Sequence, residues 1–79
     1  MDIIRRFKKR ALLNELKKWN DLMAVYIDKI AEVTDEIEET NKKNNIHITR
    51  LTQLKTDYED AYNMSRIEAM RIREELNKI

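Results

Sequence analysis

The sequence predicts an all-α protein, an antiparallel hairpin of two long, coiled-coil-like helices. Three observations carry that expectation. Apolar residues recur at alternating steps of three and four along most of the chain. Glycine and proline, the residues that most readily end a helix, are absent. The period lapses once, near the middle, in the stretch ETNKKNNIHITR of residues 39–50. No stretch of useful length shows the two-residue alternation of a strand.

The first helix is expected over residues 3–40. Its apolar positions are Leu12, Leu16, Trp19, Met23, Tyr26, Ile30, Val33 and Ile37, the a/d spacing of a coiled-coil seam. The second helix is expected over 46–78, with Leu51, Leu54 and Tyr58 followed by a broader set, Ala61, Tyr62, Ser65, Ala69, Ile72 and Leu76. With a turn at 41–45, residues 1–79 make one helical-hairpin domain.

The turn has a competitor. Counted through the middle, the heptad is unbroken and puts Thr40, Asn44 and His47 on the seam. The alternative is therefore one continuous helix in a parallel coiled coil, about 120 Å long at 1.5 Å per residue, with Asn44 buried to fix the register. Three polar layers in succession argue against it, because each replaces an apolar layer worth roughly 1.5–3 kcal/mol per side chain. Asn44 or Asn45 can end one helix or cap the next, and Lys42 and Lys43 suit the negative end of the first helix dipole. Folding about residue 44 places facing positions at numbers totalling about 88, which sets large against small. Trp19 then faces Ala69, Met23 faces Ser65, Ile30 faces Tyr58, Ile37 faces Leu51 and Leu16 faces Ile72.

A two-helix hairpin has a single thin seam, and apolar residues remain outside it. Ile3, Ile4, Phe7, Leu13, Leu22, Ile27, Met64, Ile67 and Met70 are candidates for an oligomer or partner surface. They predict a homodimer forming a four-helix bundle, or docking onto another protein. In architecture the hairpin resembles the small dimeric helical-hairpin proteins of the plasmid-encoded, RNA-binding Rop type. That resemblance lies in the fold and carries no sequence motif, so it implies a dimeric bundle and no particular activity.

Charge is balanced overall, with 16 basic and 15 acidic residues, but it is segregated. Residues 1–18 carry seven basic and two acidic side chains, and residues 21–39 carry seven acidic ones against Lys29. Within IIRRFKKRALLNELKKW, residues 3–19, Ile3, Ile4, Phe7, Ala11 and Leu12 can form one stripe while Arg5, Arg6, Lys8, Lys9 and Arg10 spread over the rest. A hairpin returns Arg66, Arg71 and Arg73 to the same end, giving a candidate patch for phosphates or for an acidic partner. This segment suits nucleic-acid phosphates, the groove of an acidic protein, an anionic membrane surface, or no partner beyond solvent. With Phe7 and Trp19 its only aromatics, both expected inside, base stacking is unsupported and any nucleic-acid binding would follow the backbone.

Chemistry is scarce. Without glycine there is no P-loop or dinucleotide fingerprint. Without cysteine there is no disulfide framework or thiolate zinc site. His47 is the lone histidine and suits a turn. The cluster Glu32, Asp35, Glu36, Glu38 and Glu39 reads as a solvated helix face, and Ser65 has no histidine to activate it. No catalytic, cofactor or metal site is expected. Apolar runs such as Ala11-Leu12-Leu13 are too short to span a membrane, and the first residues lack a signal-like apolar core, so the expected location is cytoplasmic. The sequence thus points to a non-enzymatic protein–protein interaction module, a scaffold, adaptor or inhibitor that also pairs with itself. A small nucleic-acid-binding regulator using the basic open end is the runner-up, followed by membrane-surface association through the amphipathic N-terminal segment.

Overall fold

With neither glycine nor proline to interrupt it, the backbone winds into helix over nearly all the residues described. The structure, a computed structural model, describes residues 2–42 and 48–79. Helix α1 runs Asp2–Lys42 and helix α2 runs Ile48–Asn77. Asp2 stands in the first turn of α1, where the helix dipole favours a carboxylate. After α2 the chain tightens. The Lys78 N–H donates to the Glu75 carbonyl and the Ile79 N–H to the Leu76 carbonyl, both at 3.2 Å, the three-residue closure common at helix ends. Asn41 and Lys42 continue α1 rather than opening the turn. The remainder of the expected 41–45 turn, with its candidate caps Asn44 and Asn45, lies outside the described residues, as does His47.

The helices pack antiparallel. Tyr26 meets Tyr58 with ring centroids 6.4 Å apart, and Glu15 reaches Arg71 at 3.5 Å, so α2 descends as α1 rises. The Cα dimensions are 64 × 14 × 13 Å. The 41 residues of α1 account for about 61 Å of that length. The molecule is therefore one helix long and two helices wide, and the continuous rod is excluded.

The seam holds the core. Among the described residues Val33, Ala69 and Ile72 are the buried apolar side chains, with Ser65 buried beside them. Leu12, Leu16, Trp19, Met23, Tyr26, Ile30 and Ile37 of α1 are half-buried. On α2 the covered positions step by four and three through Leu51, Lys55, Tyr58, Tyr62, Ser65, Ala69, Ile72 and Leu76, with Ala61 half-buried alongside. Leu54, expected in the seam, lies at its rim, 38% exposed. Lys55 takes the place instead, because a step of four from Leu51 keeps pace with Tyr58 and Tyr62. A lysine tolerates that position by covering its neighbours with its methylene stem while the ammonium stays wet.

Small residues set how closely the helices approach. Ala61, Ser65 and Ala69 stand one above another at steps of four, on one face of α2. The Ser65 hydroxyl donates to the Ala61 carbonyl at 2.9 Å, so it is satisfied within its own helix and needs no acceptor from α1. The axial register agrees with the arithmetic of the turn to within about one helical turn: the Tyr26–Tyr58 and Glu15–Arg71 contacts total 84 and 86, beside the 88 expected. Ala69→Leu should lower the urea midpoint by an amount equivalent to about 1–3 kcal/mol, because this site has no room for three more carbons.

Candidate interaction surfaces

The first two turns of α1 carry both charge and apolar surface. Ile3, Ile4 and Phe7 are 65–74% exposed, and Arg5, Arg6, Lys8, Lys9 and Arg10 are exposed between and around them. With about 100° of rotation per residue, Ile3, Ile4 and Phe7 share one arc with Ala11, and the five cations take the rest of the circumference. At the open end of the hairpin Lys78 and Ile79 come beside Ile4, Arg5 and Lys8, lining an open hollow with Asp2. Ile79 and Leu76 also stand beside Arg5, Arg6 and Lys9.

The arginines of α2 sit elsewhere. Arg71 donates to Glu68 through Nε at 3.2 Å and Nη2 at 3.0 Å, and Nη2 also lies 3.5 Å from Glu15. The hydrogen bond to Glu68, then that carboxylate's charge, hold the guanidinium above its ordinary pKa. Being exposed, these pairs orient the surface more than they stabilise it. Arg66 points an Nη1 at the Met70 sulfur, 3.9 Å away. From the register of the Tyr26–Tyr58 and Glu15–Arg71 pairs, Arg66, Arg71 and Arg73 lie level with about residues 11–20 of α1. They are thus set back by a turn or more from most of the Arg5–Arg10 cluster. Trp19 is half-buried, with its Nε1 enclosed and without an acceptor among the described residues, and the Lys18 ammonium lies 5.7 Å from its ring centroid.

The hairpin has two flanks, and the off-seam apolar residues divide between them. Glu15 and Arg71 meet on one. By helical rotation Leu22, Val25 and Met64 belong to that flank, and Leu22 and Val25 line a shallow groove there with Asn14, Lys17, Lys18 and Asp21. Leu22 is half-buried, whereas Val25 and Met64 are exposed. Leu13, Ile27 and Met70 fall on the opposite flank, and Ile67 on the back of α2; all four are exposed.

That opposite flank has a feature that its large apolar residues alone do not mark. Along α1, Asn20, Ala24, Ile27, Ala31 and Thr34 step by four and three and stand on one stripe. The stripe bears no charge, in a chain that is 39% charged. The Thr34 hydroxyl donates to the Ile30 carbonyl at 2.7 Å. Thr52 and Thr56 of α2, level with the same part of α1, turn their hydroxyls back onto the Ile48 and Thr52 carbonyls at 2.8 and 3.1 Å. All three threonine hydroxyls are therefore satisfied within their own helices, and by rotation Glu59 borders them. Only Ile27 stood out in the sequence. The signal for the others was an uncharged run at seam spacing whose alanines are too small to register as apolar anchors.

Among the described residues no group of three or more His, Cys, Asp or Glu side chains is placed to hold a metal ion, and no helix is long and apolar enough to cross a membrane. No family model, curated protein or solved structure matches this chain.

Proposed function

We propose that the protein is a non-enzymatic interaction module that pairs with a second copy of itself, flank to flank, as a four-helix bundle. As a scaffold, adaptor or inhibitor it presents the remaining helical faces to another protein. The uncharged stripe from Asn20 to Thr34 is the observation that carries this reading. A solvated helix face in so charged a chain has no need of it, whereas a second helix–helix seam does. Ala24 and Ala31 allow close approach of a neighbouring helix, and Ile27 at the centre supplies the knob. The thinness of the core supports the same reading. Three apolar side chains are buried among the described residues while ten large ones are exposed, and two-helix proteins of this size need further burial for stability.

A two-fold axis near Ile27 makes the interface isologous. Ile27 then meets its copy, and Ala24 meets Ala31. The chain has no cysteine, so an Ile27→Cys variant tests both the pairing and its location. Sedimentation equilibrium should give twice the 9.6 kDa chain mass for the unmodified protein, and mild oxidation should lock the variant into a covalent dimer within the distance limits of a disulfide. A monomeric mass at every concentration would defeat the self-association. A dimeric mass without the covalent product would move the interface off this flank.

A further inference from the structure

We propose that the first two turns of α1 bind the surface of an anionic lipid bilayer. This surface is separate from the self-association flank, and the inference does not depend on it. Ile3, Ile4 and Phe7 are 65–74% exposed and occupy an arc of about 100°. On a soluble helix end such an arc is expected to fold under a neighbour, and here none covers it. Among the described residues the ion pairs are those of Lys29 and Arg71, so none of the five cations of residues 5–10 is matched by a carboxylate within 4.0 Å. By rotation, Lys8 borders the apolar arc on one side and Arg6 and Arg10 on the other. A plane of anionic headgroups meets both borders at once while the apolar arc dips into the acyl boundary.

Nucleic acid would use the charges and leave most of the apolar arc without a role. Phe7, expected inside, is 65% exposed and offers one ring to a base, but Ile3 and Ile4 have no stacking face. A lipid surface uses both features, which is why the observations favour it. Binding would lay residues 3–10 in the interface without insertion across it, as no helix among the described residues can span the bilayer.

The test uses the full chain and vesicles of phosphatidylcholine with or without phosphatidylglycerol. The protein should co-sediment with the phosphatidylglycerol vesicles and stay in solution with phosphatidylcholine alone. Changing Arg6, Lys8 and Arg10 to Gln should weaken that partition at least about tenfold, and Phe7→Ala should weaken it severalfold although no charge is lost. These positions are exposed, so helicity by circular dichroism should be unchanged in each variant. A Phe7→Trp, Trp19→Phe protein should show a blue shift of tryptophan emission on the anionic vesicles alone. Failure to bind anionic vesicles overturns the proposal. So does binding that is indifferent to Phe7→Ala, shows no emission shift and is displaced by double-stranded DNA, which would mark the segment as a phosphate patch for nucleic acid.

Discussion

Ile72→Ala should unfold most of the protein at room temperature and low micromolar concentration, read as loss of helical circular dichroism. Ile72 is 0% exposed, the one large side chain among the described residues that is wholly enclosed. Removing its three outer carbons deletes their transfer free energy and leaves a cavity, together about 2–5 kcal/mol for a buried isoleucine. A domain this small has a total stability of only a few kcal/mol, so the loss is comparable to the whole. Ile72→Val keeps the branch at Cβ and removes one methyl, and should cost about 0.5–1.5 kcal/mol, leaving a folded protein with a lower urea midpoint. If Ile72→Ala were no worse than Ile72→Val, the seam between α1 and α2 would not be the centre of stability. In the proposed dimer association stabilises the folded state by mass action, so the Ile72→Ala protein should regain helix as its concentration rises.

Ala31→Glu should convert the proposed dimer to monomer across the micromolar range. Ala31 is exposed on the single hairpin, so the glutamate costs the isolated fold almost nothing, and it replaces a good helix former with another. In the flank-to-flank pair the same carboxylate meets Ala24 of the other copy, with no cation on the stripe from Asn20 to Thr34 to receive it. The symmetric pair buries two such unmatched charges, and together they should cost at least about 2–4 kcal/mol, roughly thirty- to several-hundred-fold or more in Kd. Val25→Glu is the control. Val25 is similarly exposed but belongs to the flank of Glu15 and Arg71, and its substitution should leave the sedimenting mass unchanged. Equal dissociation by both variants would place the interface on the wrong flank.

Much of the architecture was legible in the sequence because helix formation and the identity of a buried face are local properties. The a/d run from Leu12 to Ile37 names the face of α1 that meets α2, and all eight residues are buried or half-buried. The lapse of apolar seam positions at Thr40, Asn44 and His47 separated two helices, and the 64 Å length agrees with folding back there. Less was legible on α2. Its apolar residues are spaced more broadly, and a leucine at 54 outweighs a lysine at 55 on any scale of hydrophobicity, yet it is Lys55 that lies in the seam. The candidate surfaces were legible as residues and not as places. Leu22 and Ile27 stood in one set until helical rotation put them on opposite flanks. The arginines of α2 return to the same half of the hairpin as Arg5–Arg10, and the Glu15–Arg71 contact gives their level along it.

The sequence by itself determined that this chain is helical, that it is interrupted once, and which stripe of α1 is apolar, since a period of three and four residues acts within one helix and needs no partner to be read. The tertiary structure decided the rotation of α2 that leaves Leu54 at the rim, the meeting of Tyr58 with Tyr26, and the flank on which each exposed apolar residue stands. Those quantities depend on how buried residues such as Ser65 and Ala69 let the two helices fit together. That fit involves the shapes of both helices together, and no spacing along either one encodes it.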